Sequence, residues 1–188
     1  MTDERRPRLV LLNGPPGIGK TTLAMRYVRD RPLALALDID TLRRALGQWE
    51  AGQESAGQLA RGLALSMIGT HLAAGHDVVV PQYVARIGFI DALSEAAAAG
   101  GGRFLEVYLT DVRAATLERF AARASDGMAE QHHAEAVRHV GGPEGLAAMV
   151  DRIEAVRIRR AGAISVPTRA GEVEEAYRAL LAAIEAAS

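Results

Sequence analysis

A glycine-rich stretch near the start of the chain, "LLNGPPGIGKTTLA" at residues 11–24, dictates more of the fold than any other segment. It satisfies the pattern G-x-x-x-x-G-K-[ST] with Gly14, Gly19, Lys20 and Thr21. An apolar run precedes it and a helical segment follows, so it predicts a buried strand, a tight loop and a helix N-terminus. The backbone N–H groups of such a loop point at phosphate oxygens, and the helix dipole adds partial positive charge. The predicted ligand is therefore a nucleoside triphosphate, namely ATP.

Four further apolar runs alternate with segments of helical spacing along the rest of the chain. The five predicted strands span residues 8–13, 33–37, 76–82, 103–110 and 163–168. Strands separated by helices pair in parallel and are covered on both faces, and right-handed crossovers wind the sheet in both directions. The sequence therefore predicts an α/β fold, a doubly wound parallel five-stranded sheet with helices on both faces.

One predicted helix, residues 58–74, carries apolar side chains on two faces. The first row consists of Leu59, Leu63 and Met67, and the second of Leu65, Ile68 and Leu72. Because apolar rows on both sides are typical of a helix inside the protein, we expect this helix to be buried on both sides.

Length and composition are typical of one soluble domain. The chain has 188 residues and a net charge of −1, so we expect a single domain, residues 1–188, acting as a monomer or homodimer. A net charge near zero argues against nucleic acid or an anionic membrane as a partner. The chain has no cysteine, which excludes disulfides and thiolate metal sites. A charged N-terminus and the lack of any run of about 18 apolar residues predict a cytoplasmic location.

The loop supplies the predicted contacts of the triphosphate. These residues are Gly14, Pro15, Pro16, Gly17, Ile18, Gly19, Lys20, Thr21 and Thr22. In such loops the lysine reaches the β- and γ-phosphates, and the hydroxyl of the next residue is a magnesium ligand. ATP and Mg²⁺ are therefore the predicted cofactors, with Lys20 in a catalytic role and Thr21 on the metal. A chance match in a glycine-rich chain is the alternative, but the flanking strand and helix are the context that the motif requires.

Four stretches, "GPPGIGKTT", "LDIDTLRRAL", "LERFAAR" and "VPTRAGEVEEAY", occur in this order. They resemble the small kinase-like family of P-loop proteins, which includes AAA_33 domains, shikimate, adenylylsulfate and gluconate kinases, and chloramphenicol phosphotransferase. The layout covers nearly the whole chain. Only the first stretch is specific, and none of the four identifies a substrate.

Asp38 and Asp40 follow the second predicted strand, where residues two apart point to the same side. The stretch is similar to the D-x-D patterns of adenylylsulfate and shikimate kinases. That resemblance implies that one carboxylate orients or deprotonates the acceptor hydroxyl, while the other holds the substrate or the water shell of magnesium. We assign Asp38 to catalysis and substrate, and Asp40 to substrate or metal. The alternatives are that Asp40 only caps the helix beginning at Thr41, and that Asp38 is structural.

Four more residues are candidate acceptor contacts. Arg43, on the first turn after Asp40, could reach an acidic group of the acceptor or be solvated. Gln82, Tyr83 and Arg86 follow the third strand, and a surface ion pair is the alternative for Arg86. Many P-loop ATPases carry a magnesium-holding Asp where this strand ends. Its absence favours a kinase over a motor ATPase.

The remaining candidates lie in the second half of the chain. By the resemblance, Arg119 and Arg123 introduce a lid, residues 124–157, with one arginine beside the adenine and the other, Arg123, on the phosphates. The alternative is two solvated arginines on an amphipathic helix. Arg157 is a further candidate for a phosphate or substrate contact. Thr168, after the last strand, is expected beside the adenine, although its loop could be a plain strand-to-helix turn.

These residues predict an ATP-dependent phosphotransferase that moves the γ-phosphoryl group to a hydroxyl of a small molecule. The acceptor could be a sugar, a nucleoside, a metabolite or an antibiotic. A polynucleotide 5′-kinase or a toxin-like kinase is one alternative, and the near-zero charge argues against it. A regulatory nucleotide-binding module without catalysis is the other alternative.

Overall fold

The computed structural model of the protein describes residues 6–111 and 141–187. The strands are β1 (Arg8–Asn13), β2 (Leu35–Ala36), β3 (Val78–Pro81), β4 (Arg103–Thr110) and β5 (Ile164–Pro167). The helices are α1 (Lys20–Arg29), α2 (Ile39–Arg44), α3 (Gln53–Ala73), α4 (Ile87–Ala99), α5 (Gly142–Ile158) and α6 (Val173–Ala186).

The five strands form one parallel sheet in the order β2-β3-β1-β4-β5. Leu35 pairs with Val78 between β2 and β3, and Val107 pairs with Ile164 between β4 and β5. The sheet order is that of a doubly wound α/β fold, so the predicted fold class is confirmed.

The central strands are buried along their whole length, because helices cover both faces of a parallel sheet. All six residues of β1 and all four of β3 are buried. Pro81 closes β3 as expected, because proline cannot donate to a ladder. The bounds of β1 and β4 agree with the predicted ranges.

The second strand is shorter than predicted. Only Leu35–Ala36 pairs with β3, whereas residues 33–37 were expected. Leu33 has φ 60°, in the left-handed region, and its side chain is 70% exposed. A strand needs extended backbone at each position, so Leu33 lies outside the ladder.

The prediction that α3 is buried on both sides is wrong. Leu59, Leu63 and Met67 are 55%, 41% and 39% exposed. The buried row consists of Ala56, Ala60, Ala64, Ile68 and Leu72, spaced four residues apart. The helix contacts α2, α4 and β3, and the row with Leu59, Leu63 and Met67 stays exposed. The helix also begins at Gln53, five residues before the predicted start at residue 58.

The described residues form two compact units. The first contains residues 6–11, 24–82 and 86–105, and the second contains residues 12–23, 83–85, 106–111 and 141–187. Of the predicted lid, residues 124–140 lie outside the described ranges, and the remainder belongs mostly to α5. Within residues 6–111 and 141–187, no helix has both the length and the apolar character that a membrane crossing needs.

Candidate functional site

The loop between β1 and α1 is built on glycine conformations. Gly14, Gly17 and Gly19 have φ values of 147°, 81° and 105°, all in the range that other residues avoid. A Cβ atom on Gly14 would lie 3.0 Å from the carbonyl oxygen of Leu109 and 3.2 Å from Cγ2 of Ile18. Gly14 is therefore required both by its backbone conformation and by its close approach to β4.

Lys20 is the first residue of α1, and its ammonium group turns back over the loop. Nζ donates to the carbonyl oxygens of Gly14 at 2.8 Å and Pro15 at 2.9 Å. The first turn of α1 carries no acidic side chain, and its last turn carries Arg26 and Arg29. The positive end of the helix dipole and the Lys20 charge therefore meet at the loop, which is the arrangement that binds phosphate.

Thr21 and Thr22 are exposed in the first turn of α1. Among the described ranges, no group of three His, Asp or Glu side chains is placed to hold a metal ion. The Thr21 hydroxyl is an oxygen donor beside the loop, and Mg²⁺ needs few protein oxygens because it keeps phosphate and water ligands. Thr21 is the residue that would hold the ion, through its hydroxyl.

A cavity of about 270 Å³ lies between the loop and the turn after β5. Its lining brings together predicted nucleotide contacts: Gly17, Ile18, Gly19, Thr22 and Thr168. Thr168 is buried, and its N–H and hydroxyl both donate to the carbonyl oxygen of Thr110, at 2.7 Å and 3.3 Å. Its side chain therefore fixes the turn that forms one wall of the cavity.

A second cavity, of about 490 Å³, lies on the β4 side of the loop. Its lining includes Gly14, Pro15, Asp111, Asp151, Glu154 and Arg157. The guanidinium of Arg157 donates from Nε and NH2 to the two oxygens of Glu154, and from NH1 to the Ser165 hydroxyl at 3.2 Å. The hydrogen bonding between Arg157 and Glu154 lowers the pKa of Glu154 and raises the pKa of Arg157. Arg157 therefore lines a cavity beside the loop and forms an ion pair with Glu154.

Asp38 is the N-cap of α2. Its Oδ1 accepts from the N–H of Asp40 at 2.8 Å and of Thr41 at 3.3 Å, and its Oδ2 accepts from the Thr41 hydroxyl at 3.2 Å. One expectation and one alternative are wrong here. Because β2 ends at Ala36 and α2 begins at Ile39, the two aspartates do not share one side of a strand. The capping residue is Asp38 rather than Asp40.

Asp40 is held at both oxygens. Gln82 donates from Nε2 to its Oδ2 at 3.0 Å, and NH2 of Arg43 lies 3.3 Å from its Oδ1. A carboxylate only accepts, so Nε2 must be the atom that faces it. The Gln82 Oε1 is buried and has no hydrogen-bond partner within residues 6–111 and 141–187. The Arg43 guanidinium also lies 4.9 Å above the ring of Trp49, so Arg43 is packed rather than solvated.

Tyr83 and Arg86, the other two predicted acceptor contacts, have different surroundings. The Tyr83 hydroxyl donates to the carbonyl oxygen of Met149 in α5 at 3.3 Å, and burial raises the Tyr83 pKa. Arg86 is the exposed N-cap residue of α4. The pKa of Arg61 is lowered, mainly by burial and then by the charge of Arg86. Arg61 was not among the residues predicted from the sequence. Arg119 and Arg123 lie outside the described residues.

Asn13 was also missed. It is fully buried at the end of β1 and bonds to the first peptide of the loop. The signal available in the sequence was the Asn-Gly pair, which marks a turn.

The loop geometry and the sheet order together are those of the P-loop kinases. The chain belongs to the AAA_33 family, described as an AAA domain, whose family profile matches residues 9–141. A search among curated proteins finds no significant match.

Solved structures resemble the chain over nearly its whole length. A gluconokinase from Sinorhizobium meliloti 1021 matches with a TM-score of 0.65 and 22% identity, over 97% of this chain and 94% of its own. A protein from Chloroflexus aurantiacus J-10-fl, provisionally assigned as a kinase, matches with a TM-score of 0.64 and 17% identity, over 98% and 99%. A partial match to the adenylylsulfate (APS) kinase of Mycobacterium tuberculosis has a TM-score of 0.41 and 26% identity, over 55% and 76%. The first two matches support the fold.

Proposed function

We propose that the protein is an ATP-dependent phosphotransferase that moves the γ-phosphoryl group to a hydroxyl of a small molecule. The observation that carries the proposal is the loop itself. A lysine ammonium lies over a glycine loop at the positive end of a helix, on a sheet of kinase order. Two carboxylates, Asp38 and Asp40, follow β2 in the chain, and doubly wound sheets bind ligands beyond the carboxyl ends of their strands.

In the proposed reaction, the loop N–H groups and Lys20 neutralise charge on the transferred phosphoryl group. Asp38 orients the acceptor hydroxyl and takes its proton. The bond between the γ-phosphorus and the bridging oxygen breaks, an acceptor oxygen–phosphorus bond forms, and ADP leaves. Bound Mg²⁺ would supply additional positive charge to the phosphates. Because phosphoryl transfer depends mainly on positioning, a carboxylate fixed by a helix cap is suited to this role.

We assign Asp40 to the acceptor rather than to the metal. Its two oxygens are engaged by Gln82 and Arg43, so it has the fixed orientation of a binding group. Gln82 then contributes to the acceptor site through its hydrogen bond to Asp40. Tyr83, Arg86 and Arg157 stay candidates for that side. Arg119 and Arg123 stay candidates for the phosphates, since charge on the transferred group calls for further cations.

A direct screen can identify the chemical class of the acceptor. The gluconokinase match, at 22% identity, supports the fold and makes sugar acids one class to include. The panel would contain sugars, sugar acids, nucleosides, aminoglycosides and other hydroxylated metabolites with ATP and magnesium. A mass gain of one phosphoryl group is the readout. Lys20→Ala is the blank, and Arg29→Ala, at the opposite end of α1, is the matched loss of a positive charge.

We expect at least one acceptor to be phosphorylated by the wild type and by Arg29→Ala, and not by Lys20→Ala. Phosphorylation that survives in Lys20→Ala would come from a contaminant. ATP binding without any acceptor in the panel would favour the regulatory module. Phosphorylation of oligonucleotide 5′ ends alone would favour the polynucleotide kinase.

A further inference from the structure

The side chain of Asn13 bonds to three backbone groups at once. Its Oδ1 accepts from the N–H of Gly14 at 2.9 Å and from the N–H of Val84 at 2.9 Å. Its Nδ2 donates to the carbonyl oxygen of Val84 at 2.8 Å. Asn13 is 0% exposed and Val84 is 4% exposed, so all these groups are shielded from water.

The place of Asn13 beside Val84 explains why a polar side chain is needed at this position. Strand β3 ends at Pro81, and the segment from Tyr83 to Ala85 continues without a ladder partner. The buried N–H and carbonyl of Val84 would otherwise be unsatisfied, which is unfavourable for each group. Asn13 supplies both the donor and the acceptor that a neighbouring strand would have supplied, and uses the same oxygen for Gly14.

Tyr108 of β4 is almost fully buried and lines the same cavity as Gly14. Its hydroxyl donates to Oε1 of Glu106 at 2.6 Å. Arg160 donates from Nε to Oε2 of Glu106 at 2.8 Å. Burial, and then the hydrogen bond to Glu106, raise the pKa of Tyr108, so the phenol stays protonated. The cavity that Gly14 lines is therefore also lined by a hydrogen-bonded, neutral phenol.

We propose that Asn13 is a positioning residue for nucleotide binding. It sets the orientation of the Gly14 peptide, and it ties the loop to the segment Tyr83–Ala85. Gly14 has φ 147°, a conformation that glycine leaves readily because its backbone is permissive. A fixed first peptide keeps the following N–H groups aimed at phosphate, so less ordering is needed when the nucleotide binds. The inference rests on nucleotide binding and not on the identity of the acceptor.

The test compares Asn13→Ala and Asn13→Asp with Tyr27→Phe. Tyr27 is also fully buried, and its hydroxyl donates to Oδ2 of Asp77 at 2.6 Å, in the unit that does not contain the loop. Tyr27→Phe therefore removes a buried hydrogen bond without touching the loop. For each protein, the Kd for ATP with magnesium is measured by calorimetry, and the Tm is measured by circular dichroism.

We expect Asn13→Ala to weaken ATP binding by about tenfold or more, since ordering a loop costs of this order. Tyr27→Phe should lower the Tm and leave the Kd within about twofold. Asn13→Asp keeps the acceptor oxygen and, in the protonated form that burial favours, a donor. It should therefore recover part of the affinity.

Two outcomes would overturn the inference. One is an Asn13→Ala protein that binds ATP as Tyr27→Phe does. The other, should Asn13→Ala fail to fold, is an Asn13→Asp protein with the wild-type Kd at every pH between 6 and 9. Normal ATP binding without phosphoryl transfer in the wild type would count against the proposed function and leave the role of Asn13 standing.

Discussion

The amide of Gln82 and the carboxylate of Asp40 are joined by a hydrogen bond of 3.0 Å, and Arg43 holds the other oxygen of the same carboxylate. The carboxylate can therefore not rotate freely. The Gln82 oxygen is buried without a partner in the described ranges, which is costly unless a donor reaches it. These two facts make Gln82 the residue whose loss should separate acceptor binding from nucleotide binding.

The substitution Gln82→Leu removes the hold on Asp40 and the unpaired oxygen together. We expect KM for the acceptor found in the screen to rise about tenfold, the effect of roughly one hydrogen bond to a charged group. The Kd for ATP should stay within about twofold. Gln58→Leu, at an exposed position of α3, is the control for the same change of side chain. An unchanged acceptor KM would remove Gln82 and its bond to Asp40 from the acceptor site.

At Asp38, capping and catalysis can be separated by two substitutions. Asparagine caps a helix about as well as aspartate, whereas alanine costs roughly 1 kcal/mol. Asp38→Asn should therefore keep the Tm, keep ATP affinity and lower kcat by about two orders of magnitude, through loss of the base. Asp38→Ala should lower both kcat and the Tm. A kcat for Asp38→Asn near that of the wild type would reduce Asp38 to a cap.

Gly14→Ala tests the loop by steric means. The added Cβ would meet the Leu109 carbonyl at 3.0 Å, at φ 147°. We expect a loss of about 1–3 kcal/mol in the free energy of unfolding, together with weaker ATP binding. Gly62→Ala is the matched control, because a Cβ there meets nothing within 4 Å in the exposed part of α3. It should stabilise the protein by about 0.5–1 kcal/mol. Equal urea midpoints for the two variants would contradict the close packing of Gly14 on β4.

The ion pair of Glu154 and Arg157 gives a pH dependence of known sign. The hydrogen bond from Arg157 lowers the folded-state pKa of Glu154 below its ordinary value of 4.5. The pair therefore contributes stability above that value, and the contribution disappears as the pH falls through the folded-state pKa. We expect the wild type to have a higher Tm than Glu154→Gln at pH 7, and the difference to shrink toward pH 3. A difference in Tm that stayed constant over this range would exclude the pair as its source.

Much of the fold follows from short-range patterns. Strand β1 is buried throughout and β4 over residues 105–109, so a mainly apolar run marks each of these strands. The glycine loop lies between β1 and α1, as the motif and its flanking segments predicted, and its glycines adopt positive φ. The apolar row of α3 misled the prediction, because periodicity shows which residues share a face and not whether another element covers that face.

The site was harder to predict wherever a side chain bonds to distant backbone. Asn13 reaches Val84 across 71 positions of sequence, and no local pattern contains that contact. The capping role of Asp38 depended on where β2 stops: the strand ends at Ala36 and α2 begins at Ile39, although the apolar run continues to Leu37. The pairing of Arg157 with Glu154 is local, three residues apart on α5, and could have been read from the sequence.

Lys20 is the only lysine in the chain. Its amine lies over the phosphate-binding loop, so lysine-directed chemistry on this protein has one side-chain target, and that target is the proposed catalytic group. In the proposed mechanism, acetylation would remove the charge that Lys20 brings to the γ-phosphate, and one modification would inactivate the protein. Apart from the α-amino group, an amine-reactive label would react only with Lys20, because every other cationic side chain is an arginine or a histidine. The extent of labelling would therefore report how many of the proposed nucleotide sites are unoccupied.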